Sequence, residues 1–149
     1  MRAIVQKVKK ASVKVSDEKI SEIGSGLLVF VAVTDTDTEK DIEYIKKKIE
    51  KLRIFEDSDG KMNLSVEDVG GELLIVSQFT LYGDARKGNR PSFINSSSAD
   101  KAEKYYEILI QKLKDDGFKV EIGKFQTHMK VSLVNDGPVT IQLDSERLY

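Results

Sequence analysis

The chain contains no cysteine and no tryptophan, a single histidine, and only two prolines. Without cysteine it has no disulfide, no thiolate nucleophile and no thiolate metal site. The lone histidine, His128, stands beside Met129 with no acidic neighbour in a triad pattern, and a histidine so placed reads as structural. No Gly-x-Ser-x-Gly elbow occurs, so the usual hydrolytic triads and zinc sites drop out together. Asp57-Ser58-Asp59-Gly60 has the look of a calcium loop, but Phe55 stands where the first carboxylate belongs. The glycine-bearing stretch 83–98 lacks the Gly-Lys-Ser/Thr ending of a phosphate-binding loop. No metal and no cofactor is expected. No apolar run approaches the roughly 20 residues that span a bilayer, and the first residues hold no signal-like apolar segment. A soluble, cytoplasmic protein without membrane contact is the expectation. Charge of one sign is also lacking: Lys+Arg 24 against Asp+Glu 25 gives a net charge of -1. Any contact with nucleic acid must therefore be local.

What is present suffices for one domain, 1–149, since 149 residues with 40% hydrophobic content can enclose a core. Ile4, Val5 and Val8, then Val13 and Val15 in alternation, predict a pair of strands in a hairpin. Lys19 to Ile23 predict a further short strand, and Leu27 to Val33, a continuous apolar run, a central one. Thr38 with Asp41 resembles a capping box opening a helix from about Glu39 to Lys51, with Ile42, Ile45, Ile49 and Leu52 as its buried stripe. Lys46, Lys47, Lys48 and Lys51 cover much of its other side, as a solvated face or as contacts for RNA. Ser97 with Asp100 predicts a second helix, closed by Gly117, with Ala102, Tyr105, Tyr106, Leu109, Ile110 and Leu113 inward. Short strands are expected at Arg53–Glu56, Met62–Leu64, Phe118–Ile122, Met129–Val134 and Val139–Leu143. The sum is an α/β fold: layered mixed and antiparallel sheets, barrel-like, with two main helices.

Two stretches stand out chemically. Leu73 to Val76 suit a strand buried on both faces, and Ser77, Gln78 and Thr80 bring polar groups to its tip, either to form a site or only to satisfy the strand's end. Asn135-Asp136-Gly137-Pro138-Val139-Thr140 puts a proline between two strands, where it removes a ladder donor. Its Gly-Pro bond can be cis or trans at small cost. With triads and metals excluded, the chemistry left is hydroxyls, the Gln78 amide, backbone N–H groups and whatever the substrate brings. Such groups can stabilise an oxyanion, worth on the order of 10²–10³ in rate per good donor.

Ser77-Gln78-Phe79-Thr80-Leu81 and Asn135-Asp136-Gly137-Pro138-Val139-Thr140 together resemble the two signature motifs of D-aminoacyl-tRNA deacylases. The likeness extends through Met1 to Val8, Ala11-Ser12-Val13, Gly24 to Leu28, Arg53-Ile54-Phe55, Gly60 to Leu64, Arg90-Pro91-Ser92-Phe93 and Val131 to Val134. The resemblance implies a homodimer that hydrolyses the ester joining a D-amino acid, or glycine, to the terminal adenosine of tRNA. It implies that Ser77, Gln78, Phe79 and Thr80 line the pocket, with backbone N–H groups near Phe79 and Thr80 directed at the ester carbonyl. Gly137-Pro138 is expected as a cis peptide entering from the partner subunit to hold the substrate ammonium and exclude L side chains. Phe125 and Met129 match positions near the adenine. Thr80 has been favoured as a nucleophile in the family, yet no base is evident beside it, so assistance by the ribose 2′-hydroxyl is preferred.

One departure stands in the first strand. Gln6 is followed by Lys7, where the family usually has an arginine that braces the Gly-Pro element; lysine keeps the charge and loses the planar fork. Two other readings compete. One is a related domain that edits a different mischarged tRNA, and the other is a non-catalytic module that binds RNA ends through Lys46 to Lys48 and Arg86 to Arg90.

Overall fold

In the computed structural model, which describes residues 1–149, β1 (Arg2–Val15) is one continuous strand of 14 residues rather than a hairpin. Lys9 and Lys10, both exposed, break the alternation, and the strand absorbs the break as a bulge: Val8 faces Asn135 and Lys10 faces Val134 across the ladder. The bend lets one strand serve two cores. Ala3 and Val5 belong to the larger core under the helices, while Val8, Ala11 and Val13 join a smaller one with Ile23, Leu28, Leu74 and Val76. A tight turn with positive φ at Ser16 and Asp17 leads into β2 (Glu18–Ile23), and β3 (Gly26–Ala32) returns antiparallel to the first half of β1.

After β3 comes α1 (Glu39–Lys51), which buries Ile42, Ile45 and Ile49 as its spacing predicts. The capping box is present: the Asp41 carboxylate accepts from the Thr38 backbone N–H at 2.8 Å and from its hydroxyl at 3.0 Å. Two short strands, β4 (Phe55–Glu56) and β5 (Met62–Leu64), form a separate ribbon before β6 (Glu72–Ser77). β6 lies parallel to β3, and β7 (Val120–Ile122) lies parallel to β6, so each crossover carries a helix over the same sheet face. The second helix, α2 (Ala99–Asp115), starts one residue later than the sequence suggests. Ser98 is its N-cap, accepting from the Lys101 N–H, while the Ser97 N–H donates to the Val33 carbonyl at 2.9 Å. Gly117 and Phe118 close the helix by donating to Lys114 and Leu113.

The last strand, β8 (Lys130–Asp144), pairs antiparallel with β1 along nearly its whole length, where the sequence suggests two strands separated by a turn. The Asn-Asp-Gly-Pro stretch is a bulge instead: Val8 pairs with Asn135 and Gln6 with Thr140, so residues 136–139 loop out of the ladder. The main sheet runs β2-β1-β3-β6-β7 with β8 on the bend of β1, a nearly closed, barrel-like mixed sheet with two helices on one face. No helix is long and apolar enough to cross a membrane. Parallel strands β3, β6 and β7 all point their carboxyl ends at one rim. Sites in α/β sheets gather at such rims.

Candidate functional site

β6 delivers the first wall. Leu73, Leu74, Ile75 and Val76 are buried on both faces, which fixes the strand, and the ladder ends when the Gln78 N–H donates to the Val31 carbonyl at 2.8 Å. There the chain tightens into a 3₁₀ turn, Phe79–Tyr82. The first N–H groups of such a turn have no partner within it. Those of Phe79 and Thr80 find no acceptor elsewhere in the chain, and both residues are exposed. The turn itself is firmly held. Tyr82 is buried beneath the Arg2 guanidinium, 4.5 Å from its ring centre, while Arg2 also donates to the Leu81 carbonyl at 3.1 Å and pairs with Asp144 at 2.9 Å. Burial pushes the Tyr82 phenol well above its ordinary range, so it stays neutral. On the other side the Ser96 hydroxyl donates to the Phe79 carbonyl at 3.1 Å, and Phe93 meets the Phe79 ring edge-on at 5.1 Å.

The opposite wall is the loop between β7 and β8. The Gly123 N–H and the Tyr106 hydroxyl both donate to the Ile75 carbonyl, at 3.1 and 2.7 Å, tying this loop and α2 to β6. The Thr127 hydroxyl donates to the Lys124 carbonyl at 2.8 Å, and Gln126 adopts a φ of 54°. The Phe125 ring then lies 6.2 Å from that of Tyr106. Between the walls is a cavity of about 590 Å³. Ser77, Gln78, Phe79, Phe125 and Met129, anticipated from the sequence, all line it. Thr80 sits just outside, at the mouth, with the Gln78 side-chain amide donating to its hydroxyl.

Sequence reasoning missed much of this lining, including Gln126 and Thr127. His128, read as structural, borders the cavity, as do Ser96 and Ser97 and the start of α2 at Ala99 and Ala102. The serine run before α2 was the available signal. No Asp, Glu, Lys or Arg lines the cavity. It suits an uncharged flat group such as a nucleobase, and no ionisable group contacts the Thr80 hydroxyl to activate it as a nucleophile. No three His, Cys, Asp or Glu side chains group together where they could hold a metal ion.

Gly137 and Pro138 are not part of this cavity. They are exposed, the bond between them is cis, and Gly137 has a φ of 125°. The neck of their bulge is closed by the Asn135 side chain, whose Oδ1 accepts from the Val139 N–H at 3.2 Å and whose Nδ2 donates to the Thr140 hydroxyl at 3.0 Å. Gln6 reaches the same Thr140 hydroxyl at 3.2 Å. Lys7, only 3% exposed, pairs with Glu56 at 2.6 Å and reaches Asp136 at 3.5 Å. Gln6 and Lys7 thus both sit at the bulge, one at its neck and one beneath it. The lysine holds the Glu56 carboxyl below its ordinary range.

Comparison with known proteins covers the whole chain. Residues 4–144 match the family D-Tyr-tRNA(Tyr) deacylase. A D-aminoacyl-tRNA deacylase of Thermotoga petrophila is 56% identical over 149 residues, covering 100% of both chains. One from Chloroherpeton thalassium is 58% identical over 97% of this chain and 96% of its own. Among solved structures, the c-Myc DNA Unwinding Element Binding Protein superposes with a TM-score of 0.91 at 42% identity, covering 97% of this chain and 98% of that one. Matched from the first strand to the last at this level of identity, the chain belongs to the D-Tyr-tRNA(Tyr) deacylase family.

Proposed function

We propose that this protein hydrolyses the ester bond of D-aminoacyl-tRNA, releasing the free D-amino acid and intact tRNA, a chiral proofreading step of translation. The observation that carries the reading is the pair of unpartnered, exposed N–H groups of Phe79 and Thr80 at the mouth of a cavity lined by no Asp, Glu, Lys or Arg, in a chain of this family. Water adds to the ester carbonyl, the oxyanion that forms is held by those N–H groups, and the ribose 3′-oxygen leaves with a proton passed through the neighbouring 2′-hydroxyl. Fixed main-chain donors need no reorganisation as the charge develops. Phe125 and Met129 pack against the terminal adenine, while Ser77 and Gln78 orient the reacting group.

Selection of the D form falls to Gly137-Pro138, supplied by a second copy of the chain in a homodimer. The main-chain carbonyls of that element hold the substrate ammonium and fill the space an L side chain would need, leaving the D side chain in solvent. Gln6 and Lys7 brace it. Glycine, having no side chain to exclude, is cleaved as well. Purified protein incubated with D-Tyr-tRNA, D-Asp-tRNA, Gly-tRNA and L-Tyr-tRNA should release amino acid from the first three and spare the last. Rapid release of L-tyrosine would overturn the selection mechanism, and binding without turnover of any substrate would favour a non-catalytic RNA-end module.

A further inference from the structure

Of the two basic clusters in the chain, the one on α1 is half engaged within the fold, Lys47 and Lys48 being exposed and without a carboxylate partner. Lys46 binds Glu50 at 3.0 Å and also Asp116, and Lys51 pairs with Glu67. Asp116 caps the far end of α2, whose first residues line the cavity. At 1.5 Å per residue, that places the α1 lysines roughly 25 Å from the site.

The other cluster lies beside the site. Directly after the 3₁₀ turn, residues Asp84 to Ser92 form an arm, closed at its root by paired backbone hydrogen bonds between Asp84 and Ser92 at 2.8 and 2.9 Å. The root is continuous with the clamp on Phe79 made by Phe93 and Ser96. Gly88, at a φ of 129°, turns the tip, and a side chain there would meet nothing but solvent. Arg86 is bound back onto Asp84 through Nε at 2.9 Å and Nη2 at 2.6 Å, which holds the Asp84 carboxyl far below its ordinary range. That leaves Lys87 and Arg90, both exposed and neither engaged with a carboxylate, on a chain whose net charge is -1. At about 3.3 Å per residue the tip reaches roughly 10 Å beyond its root, the scale of one or two nucleotides.

We propose that this arm holds the sugar–phosphate backbone of the RNA strand just 5′ of the esterified nucleotide, with Lys87 and Arg90 as its phosphate contacts. The assignment rests on the deacylase reading and adds a second binding element to it. Phosphate contacts position a nucleic acid without reading its sequence, so the arm serves every tRNA alike.

The test compares two substrates: D-Tyr-tRNA, and D-tyrosine esterified to adenosine alone, which has no phosphate. In the Lys87→Gln/Arg90→Gln variant, KM for D-Tyr-tRNA should rise about tenfold at low salt with kcat unchanged. The slope of log affinity against log salt should flatten by about 1.4, at about 0.7 for each single-strand phosphate lost. Cleavage of the adenosine ester should be unaltered, and Lys61→Gln/Lys114→Gln, the same charge change on distant exposed lysines, should leave both substrates as they were. An unaltered tRNA KM, or an equal loss on both substrates, would overturn the proposal. If the wild-type protein cleaves neither substrate, the deacylase reading fails, and the arm is judged by whether the double variant flattens the salt dependence of binding to uncharged tRNA.

Discussion

At the scale of single residues the question is what Thr80 contributes, its hydroxyl or its N–H. The hydroxyl accepts from the Gln78 amide and touches no base, whereas the N–H is free and exposed. A main-chain role survives substitution of the side chain. Thr80→Ser and Thr80→Val should therefore each keep activity within about tenfold of the parent on D-Tyr-tRNA, since each keeps the donor. A dead valine variant beside an active serine variant would restore the nucleophile, and loss in both with binding intact would also count against the main-chain account. Tyr106 poses a different question, because its hydroxyl is buried and bonded to the Ile75 carbonyl at 2.7 Å. That carbonyl also accepts from Gly123, so Tyr106→Phe leaves no orphaned acceptor. The expected cost is about 1 kcal/mol, the net worth of one hydrogen bond, and not the larger penalty of a stranded group. For a domain of this size that is a fall in Tm of about 2–4 °C, measurable by calorimetry.

At the scale of elements, α1 and the end of α2 are joined by Lys46 between Glu50 and Asp116. Burial raises the Glu50 carboxyl above its ordinary 4.5, outweighing the pull of Lys46, while that lysine lowers Asp116 below its ordinary 3.8. The two act with opposite sign. Glu50, raised on folding, favours the fold fully below pH 4.5, and that contribution fades as pH rises through its folded value; Asp116, lowered, contributes above pH 3.8 and loses its effect on acidification. Glu50→Gln should match the parent near pH 4 and become relatively more stable as pH rises to 7, seen as a growing gap in urea midpoints. A parent that gains on the variant with rising pH would reverse the assignment. These helices were also the most legible part of the sequence, because Ile42, Ile45 and Ile49 fall on one face by local spacing alone. Local reading failed at β1 and β8. The break in alternation between Val8 and Val13 reads as a hairpin and Asn-Asp-Gly-Pro as a turn from their neighbours, and only pairing between strands more than a hundred residues apart turns them into bulges. Ser77, Gln78 and Phe79 at the β6 tip were legible as one local group, but the serines before α2 and His128 join them around the cavity only through the tertiary fold.

At the scale of the whole molecule, register decides how far the bulge lies from the cavity. Ser77 aligns through Val31 with Ala3, while the bulge lies opposite Gln6 to Val8, about four residues further along the strands, and β8 is three strands over from β6. The sheet nearly closes, and Val131 of β8 itself lines the cavity; the bulge begins five residues further along that strand, roughly 15 Å away at about 3.3 Å per residue. On the proposed reading, an element set apart from its own cavity in this way screens substrate in another copy. Gly137→Ala tests this, because a Cβ there would sit 2.7 Å from Val139 Cγ2 and 3.1 Å from its nitrogen, at a φ hostile to side chains, so the bulge must deform. Release of L-tyrosine relative to D-tyrosine should rise at least about tenfold. Phe79→Pro removes one of the two proposed oxyanion donors at the first position of a helical turn, where proline is tolerated, and should lower kcat by about 10²–10³. Co-expression of the two variants separates the possibilities. If the bulge works across subunits, a mixed dimer pairs the intact Phe79 of one chain with the intact bulge of the other, and its working site again spares L-Tyr-tRNA. Excess Phe79→Pro chain should then suppress L-tyrosine release while D-tyrosine release persists. If L-tyrosine release per working site stays constant at every mixing ratio, the bulge guards its own chain.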